Sequence, residues 1–280
     1  MSIVKKHRTM DIVLFIILIL LAAIFLAPLL IVLMNSFKSK FFISSQPFKF
    51  PTADTFTGRE NYIEGARKIK FFNAFGYSLF ITVFSVIGIS LATSMLAWYL
   101  TRVKSVFTTV VYYLLVFSMI VPFQMVMFTM SKTANLLHLD NPIGILVLYV
   151  GFGAGLGTFM FSGFIKTIPL SLEEAAMIDG ATAPQTFFLV VYPMLKSTAI
   201  TVAILNTMWV WNDYLLPYLT IGIEYKTIPV AIQYLRGGYG AVDMGAMMAM
   251  LVLAMIPIII FYLAMQKHII RGVIAGAVKG

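Results

Sequence analysis

Long apolar runs alternate with shorter polar segments along the whole chain. Six of these runs are long enough to cross a bilayer, whose hydrocarbon core of about 30 Å requires roughly 20 residues of helix. They cover residues 12–34, 76–100, 106–130, 142–165, 198–221 and 244–265. The pattern therefore predicts an all-α membrane protein with six transmembrane helices.

Several runs contain residues that modify a membrane helix. Prolines inside three of them predict kinks, because neighbouring groups can satisfy the carbonyls that a proline frees. These prolines are Pro28, Pro122 and Pro257. The fourth run contains two overlapping G-x-x-x-G pairs, which allow another helix to approach its backbone closely. Their glycines are Gly151, Gly153, Gly155 and Gly157.

The first run follows three basic residues, as the apolar region of a signal peptide does. They are Lys5, Lys6 and Arg8. The run of about 23 residues exceeds the 7–15 residues of a signal peptide. We therefore interpret it as an uncleaved anchor.

Composition excludes a soluble domain and several kinds of chemistry. The chain is 60% hydrophobic and 11% charged, whereas soluble domains are about 25% charged. Its net charge of +9 is spread between the apolar runs and not clustered as in a nucleic-acid-binding patch. With no cysteine, a disulfide framework and a thiolate metal site are excluded.

Charge alone does not orient the six predicted helices. Alternate sides of the membrane each carry ten Lys and Arg residues, so the positive-inside rule gives a tie. Seven of the ten on one side lie in a single loop of about 40 residues. Short loops report orientation more reliably than long ones, which favours cytoplasmic termini only slightly.

The segment between the fourth and fifth runs, here named the 166–197 loop, is too polar to span a membrane. Ser171-x-x-Glu174 has the form of a capping box, which predicts a helix over residues 172–178. Asp179-Gly180 predicts its end, because glycine adopts the left-handed conformation without steric cost.

A second short helix is predicted to follow. Thr182-x-x-Gln185 is another capping box, Pro184 falls in the first turn, where proline is tolerated, and Pro193 is predicted to end the helix. A compact helix, glycine turn and helix either docks into a groove on another protein or is an ordinary surface hairpin. The residue pattern leaves both open.

The segment Glu174-Ala175-Ala176-x-x-Asp179-Gly180-Ala181, followed by Gln185, Phe187 and Pro193, resembles the EAA signature of ABC-importer membrane subunits. The resemblance implies that the 166–197 loop is a coupling loop that docks into a cleft on a cytoplasmic ATPase. It implies that both termini are cytoplasmic, since the coupling loop must face the ATPase. The implied ATPase-coupling residues are Glu174, Ala175, Ala176, Asp179, Gly180 and Ala181.

Two further segments resemble the maltose-type carbohydrate class, in particular the shorter of its two membrane subunits. One is Trp211-Asn212-Asp213-Tyr214-Leu215-x-Pro217, and the other is the terminus from Gln266 to Gly280. The resemblance implies contact between the tail and the ATPase, although small terminal residues are also typical of a frayed end. The tail residues concerned are Ala275, Gly276, Ala277, Val278 and Lys279.

Two groups of residues keep alternative interpretations. Trp211, Asn212 and Asp213 either line the translocation pathway or orient one another structurally. A second group lies in the last outward loop, where it either contacts a solute-binding protein or consists of ordinary loop residues. This group is Arg236, Gly237, Gly238 and Tyr239.

The implied partners are a second homologous permease subunit, two cytoplasmic ATP-binding subunits, an extracytoplasmic solute-binding protein, a sugar and membrane lipid. The chain lacks G-x-x-x-x-G-K-[ST] and hence a P-loop. We therefore expect ATP and Mg on partner subunits, no cofactor on this chain and no catalytic residue. His7, His138 and His268 match no metal-ligand spacing, so we predict no metal site. Because the positive charge is not clustered, we also predict no nucleic-acid partner.

The predicted organisation is a cytoplasmic N-terminus of residues 1–11, a permease domain of residues 12–265 and a cytoplasmic tail of residues 266–280. Within the domain, the extracellular loops cover about 35–75 and 222–243. The predicted function is that of a permease subunit of a bacterial plasma-membrane sugar importer.

Three alternatives remain: an importer for a non-sugar solute, an ion-coupled secondary transporter and a non-transporting scaffold. A secondary transporter places ionisable groups inside its spans, where only Asp213 qualifies. Against a scaffold stands the joint resemblance of the 166–197 loop, the fifth run and the tail.

Overall fold

The computed structural model describes residues 2–222, 224–235 and 243–277, with side chains from residue 10 to residue 268 within those ranges. In these ranges the chain forms α-helices, one π-helix and no strand, which confirms the predicted all-α class. The α-helices are α1 (Ser2–Asn35), α2 (Lys40–Ile43), α3 (Glu60–Lys68), α4 (Phe71–Arg102), α5 (Val106–Ser118), α6 (Phe123–Leu136), α7 (Gly144–Ile165), α8 (Leu170–Ile178), α9 (Ala183–Gln185), α10 (Tyr192–Met194), α11 (Lys196–Asn212), α12 (Leu215–Thr220), α13 (Ile228–Gln233) and α14 (Met244–Ala277). The π-helix is Thr186–Val191.

Four of the described helices are long and apolar enough to cross a membrane. They are Met10–Asn35 within α1, the whole of α4 and α7, and Met244–His268 within α14. Two further candidates are bent pairs, α5 with α6 at 109° and Ala183–Met194 with α11 at 78°. If each pair is one span, the total is six, the predicted number, although the second pair begins at Ala183, within the 166–197 loop, and not at residue 198.

The third predicted span is broken and not merely kinked. It was expected as one helix over residues 106–130, but α5 ends at Ser118 and α6 begins at Phe123. Pro122 is the N-cap of α6 and has extended backbone angles (φ −61°, ψ 134°). Because proline has no N–H and restricts the residue before it, the chain leaves the helix over residues 119–122.

The fifth predicted span is also interrupted. It was expected over residues 198–221, whereas α11 ends at Asn212 and α12 begins at Leu215. Asp213 is extended (φ −71°, ψ 127°), and its Oδ1 accepts the N–H of Leu215 at 3.0 Å. A short acidic side chain that bonds to the backbone nearby competes with the helix ladder, which the apolar pattern does not reveal.

The described chain divides into two compact units. The second unit is Phe72–Ala231 with Pro257–Gly280, and its buried core draws on α4, α7, α11 and the 166–197 loop. A Cβ added at Gly153 would meet Ile89 of α4 at 2.8 Å, and one at Gly155 would meet the carbonyl of Leu115 in α5 at 2.6 Å. The close approach predicted from the four glycines is confirmed at Gly153, Gly155 and Gly157, whereas a Cβ at Gly151 would meet nothing within 4 Å.

The first unit is Met1–Phe71 with Ile232–Ile256. Its loop after α1 is held by partly buried polar contacts: Asn61 Nδ2 donates to the carbonyls of Ser36 and Lys38, both at 2.8 Å. Helix α3 lies on the start of α14, since a Cβ at Gly65 would meet Met250 at 3.0 Å. This unit therefore has ordered packing outside the span of α1.

Candidate functional site

The first helix of the 166–197 loop begins earlier than predicted. Helix α8 starts at Leu170 with Pro169 as its N-cap, and no side chain caps it. Pro169 is extended (φ −59°, ψ 130°), so the turn into the helix is complete before Ser171. The capping box predicted for Ser171 and Glu174 is therefore wrong, because both residues already lie within helical turns.

The end of α8 agrees with the prediction. Gly180 has a left-handed φ of +89°, and two hydrogen bonds close the last turn. The Gly180 N–H donates to the carbonyl of Met177 at 3.1 Å, and the Ala181 N–H donates to that of Ala176 at 3.0 Å. This pair of bonds is the Schellman arrangement, which requires a left-handed residue after the helix. The predicted stop at Asp179-Gly180 is confirmed.

The second arm of the loop begins as predicted and ends later. Gln185 Oε1 accepts the Thr182 N–H at 2.8 Å, and Pro184 lies in the first turn of α9. The chain then widens into the π-helix and continues through Pro193 to Met194. A proline ring normally clashes with the carbonyl four residues earlier, and a π-turn at this point relieves the clash. The helix predicted to end at Pro193 ends one residue later, at Met194, and the chain then bends by 78° into α11.

A buried carboxylate that sequence reasoning missed anchors α8. Glu173 is 2% exposed, and its Oε1 accepts from Arg102 Nη2 at 2.7 Å and from Arg102 Nε at 2.9 Å. Its Oε2 accepts from Trp98 Nε1 at 2.9 Å. The sequence signal was an adjacent pair of glutamates, of which only Glu174 matched the signature.

The predicted coupling residues lie on the outer side of the same loop. Glu174, Ala175, Asp179 and Gly180 are exposed. Ala176 and Ala181 are partly exposed. Two apolar side chains stand beside them, Met177 at 51% and Ile178 at 85% exposure. We name this surface, residues 174–181, the docking face; exposed large apolar side chains in a small patch are typical of a protein contact surface.

A second candidate site is a cavity of about 740 Å³ beside both helix breaks of the second unit. Most of its wall is apolar and aromatic, with Gln124, Ser118 and Asp213 as its polar side chains. Of the three predicted pathway residues, only Asp213 lines it. Trp211 is 6% exposed and meets Phe75 edge-on at 6.0 Å. The exposed Asn212 donates to the carbonyl of Met208 in its own helix.

The carboxylate of Asp213 is held in a fixed orientation. Its Oδ2 accepts from the hydroxyl of Tyr149 at 3.0 Å, and its Oδ1 accepts the Leu215 N–H at 3.0 Å. Tyr149 is fully buried and lies edge-on to Trp209 at 5.4 Å. Trp209 and Gln124, which sequence reasoning did not select, line the cavity with Asp213; the turn geometry at Asp213 was the only local signal.

Two sets of predicted residues cannot be placed at side-chain level. Arg236, Gly237, Gly238 and Tyr239 lie outside the described residues, as do Val278 and Lys279. The backbone of Ala275, Gly276 and Ala277 belongs to the last turn of α14, and their side chains lie outside the described set. The predicted contacts of both groups stay predictions.

Comparison with known proteins identifies the family. Residues 85–275 match the model of the binding-protein-dependent transport system inner membrane component family. A probable starch degradation products transport system permease protein, AmyC of Thermoanaerobacterium thermosulfurigenes, is 37% identical over 93% of this chain and 94% of its own length. The multiple sugar-binding transport system permease protein MsmG of Streptococcus mutans is 34% identical over 91% of this chain and 92% of its own length.

A solved structure shares the fold. It is a bacterial ABC transporter involved in the import of the acidic polysaccharide alginate, with a TM-score of 0.77 over 94% of this chain and 97% of the matched chain. At 23% identity this likeness concerns the fold alone. The family match and the relatives confirm the resemblance drawn from the 166–197 loop and the fifth run. This chain belongs to the binding-protein-dependent transport system inner membrane components, the permease subunits of ABC importers.

Proposed function

We propose that this chain is one of two membrane subunits of a bacterial ATP-driven importer and carries a sugar or oligosaccharide across the plasma membrane by alternating access. The observation that carries the proposal is the cavity at the two helix breaks, with one oriented carboxylate and several aromatic rings. The names of the relatives, which refer to starch degradation products and to multiple sugars, support a carbohydrate as the solute.

The chemistry of the cavity suits a sugar. Its volume of about 740 Å³ lies within the range of about 300–1,000 Å³ typical of small-molecule sites. The rings of Trp209, Phe123 and Phe152 offer flat apolar surfaces to the C–H faces of a sugar ring. The Asp213 carboxylate and the Gln124 amide offer acceptors and donors to its hydroxyl groups. Transporters commonly form substrate sites where helices are interrupted.

In this proposal the docking face is the surface that contacts a partner ATPase and receives its movement. The chain has no P-loop sequence, so we place ATP and Mg on two cytoplasmic partner ATPases. Glu174, Ala175, Asp179 and Gly180 are exposed and available to enter a cleft on one ATPase. The 166–197 loop and both termini are then cytoplasmic, and this chain performs no chemistry on the substrate.

Contacts with three partners belong to the same proposal. A second permease subunit completes the pathway, and an extracytoplasmic binding protein delivers the sugar. The tail residues 275–279 contact the ATPase, and Arg236, Gly237, Gly238 and Tyr239 contact the binding protein.

The proposal is tested with the complete importer reconstituted in liposomes with its binding protein. Import of labelled sugar should require ATP and should survive collapse of the proton gradient. Asp213→Asn and Trp209→Ala should each lower uptake at limiting sugar about tenfold, the effect of one lost contact of about 1.4 kcal/mol. Asn212→Ala is the matched control, because the Asn212 side chain donates to the carbonyl of Met208 in its own helix and does not line the cavity among the described residues.

Two results would contradict this function. Import that proceeds without ATP and stops when the proton gradient collapses would identify an ion-coupled secondary transporter, with Asp213 as its ionisable group. ATP-driven import of a non-sugar solute, with no sugar transported, would leave the importer class intact and refute the substrate.

A further inference from the structure

The end of α4 contacts all three parts of the 166–197 loop. Arg102 Nη2 donates to the carbonyl of Ile168 at 3.0 Å, where the chain enters the loop. Arg102 and Trp98 donate to Glu173 in α8. The ring of Trp98 also packs against that of Phe187 in the π-helix, with centroids 5.4 Å apart. One turn of one helix therefore holds the entrance, the first helix and the second arm of the loop.

The spacing of the two donors explains how they act together. Trp98 and Arg102 are four residues apart, so their side chains leave the same face of α4. Both carboxylate oxygens of Glu173 are occupied, Oε1 by two guanidinium N–H groups and Oε2 by the indole N–H. Hydrogen bonds weaken steeply as the donor angle falls. A rotation or shift of α8 relative to α4 therefore breaks several of them at once.

Two neighbouring glutamates of α8 lie in different surroundings. Successive helical residues point about 100° apart, so Glu173 is buried against α4 while Glu174 stands on the exposed docking face. Glu173, which bonds to α4, and Glu174, on the docking face, are thus neighbours in the chain. Any displacement of the docking face acts directly on the buried bonds.

We propose that Trp98 and Arg102 are positioning residues that clamp Glu173, so that α8 moves as one body with α4 and a displacement of the docking face is passed to the spans. This inference rests on the proposed function, because it assigns the route by which ATPase movement reaches the cavity. It adds residues that the EAA-like segment does not contain.

The first test measures sugar imported per ATP hydrolysed by the reconstituted importer. Glu173→Gln keeps the size of the side chain and removes the charge that Arg102 pairs with. It should lower this ratio about tenfold, since hydrogen bonds to charged groups are the strong ones. Trp98→Phe keeps a ring on Phe187 and removes one N–H, and should lower the ratio about threefold. Arg102→Lys keeps the charge without the planar fork, and its decrease in the ratio should lie between those of the other two variants.

The control for this test is Lys104→Gln, which removes an exposed positive charge just beyond the end of α4. It should leave the ratio unchanged. Recovery of each intact complex by size-exclusion chromatography separates loss of coupling from loss of assembly.

The second test reports the clamp without any transport. The chain has no cysteine, so Lys104→Cys and Ser171→Cys, both at exposed positions, supply its only two labelling sites. Spin labels on them should give a narrow distance distribution in an otherwise wild-type chain, measured in the complex with cysteine-free partner subunits. The distribution should broaden in Glu173→Gln and, to a smaller extent, in Trp98→Phe.

An unchanged import ratio in Glu173→Gln and Trp98→Phe would overturn the clamp, and so would an unchanged distance distribution. ATP-independent import by the wild-type complex would instead contradict the proposed function, and the distance measurement would still judge the clamp by itself.

Discussion

Two loops of this chain are each held by an ion pair, and the two pairs have nearly the same length. Arg102 Nη2 lies 2.7 Å from Glu173 Oε1, and Lys68 Nζ lies 2.6 Å from Asp243 Oδ2. The side chains of the first pair are 19% and 2% exposed, and those of the second are 42% and 21% exposed. By length alone the two pairs would be expected to contribute equally to stability. Their burial differs, however, and so does their expected contribution.

The partners of each carboxylate extend the contrast. Glu173 receives a planar guanidinium fork and an indole N–H inside the protein. Lys68 divides its ammonium between Asp243 and Glu64, which lies 3.2 Å away. Removing one member of a buried pair leaves an uncompensated charge, while an exposed pair is screened by water and salt. The loop proposed to transmit movement is therefore held by a more deeply buried pair than the segment between α1 and α4, here named the 36–70 segment.

The largest expected effect comes from breaking the buried pair. Glu173→Ala leaves Arg102 without its carboxylate and should lower the stability of the chain by about 3–5 kcal/mol. Thermal unfolding of the purified protein in detergent measures this loss. The neighbouring Glu174→Ala, on the exposed docking face, should stay within about 0.5 kcal/mol of wild type and instead reduce ATPase stimulation in the complex. Equal losses of stability in the two variants would contradict the division between the buried and exposed sides of α8.

A smaller effect is expected at the turn after α8. Gly180 has a φ of +89° and an added Cβ would meet nothing within 4 Å, so a substitution acts through the backbone alone. Gly180→Val should strain the turn by about 1–3 kcal/mol, and we expect it to uncouple ATP hydrolysis from transport. The measurements are sugar uptake and binding-protein-stimulated ATPase of the reconstituted importer. Gly180→Asn is the control, since asparagine tolerates the left-handed region better than other residues.

Normal transport and normal ATPase stimulation in Gly180→Val would show that the shape of this turn does not matter to coupling. The bonds of Glu173 to Trp98 and Arg102 would then be sufficient by themselves to keep the loop rigid.

Features with local causes were predictable from the sequence. The apolar runs predicted the number of candidate spans and the approximate position of all but the fifth, and Gly180 and Thr182 marked a helix end and a helix start through their own backbone chemistry. Proline was less informative, because its effect depends on the neighbouring backbone. Pro122 breaks a span that was expected only to kink, while the π-helix lets the chain pass through Pro193.

Features with distant causes were not predictable. Arg102 and Glu173 are 71 residues apart, and a basic residue just beyond an apolar run is also what an ordinary loop charge looks like. Helical geometry implies that two adjacent glutamates face different ways, yet no local signal names the partner of the inward one. The cavity likewise depends on α5, α6, α7 and α11 meeting at two breaks, and only the chain's tertiary packing brings these segments together.

The smallest expected effect concerns the exposed pair between Lys68 of the 36–70 segment and Asp243. Lys68→Met should cost about 0.2–1 kcal/mol, which corresponds to a decrease of roughly 0.4–4 °C in melting temperature for a chain of this size. High salt should remove most of the difference, because exposed charges are screened. The control is Lys49→Met, which removes the same charge from an exposed position in the same segment and should show no such decrease.

The pH dependence of this difference follows from the two pKa shifts. Burial acts to raise the pKa of Asp243, but the hydrogen bonds from Lys68 and from the Ala246 N–H lower it by more, so it lies below its ordinary value. The hydrogen bond to Asp243 raises the pKa of Lys68. The Asp243 contribution is present above the unfolded pKa of about 3.9 and is lost as the pH falls through the lower folded pKa. The Lys68 contribution is present below about 10.4 and is lost as the pH rises through the higher folded pKa.

The melting difference between wild type and Lys68→Met should therefore be constant from about pH 5 to pH 9 and shrink only outside that window. A difference that persists in high salt and at acidic pH would contradict an electrostatic origin, because methionine keeps most of the aliphatic stem of Lys68 and removes only its charge. In that case the two ion pairs would differ in kind and not only in burial, because the exposed one would not act through its charges.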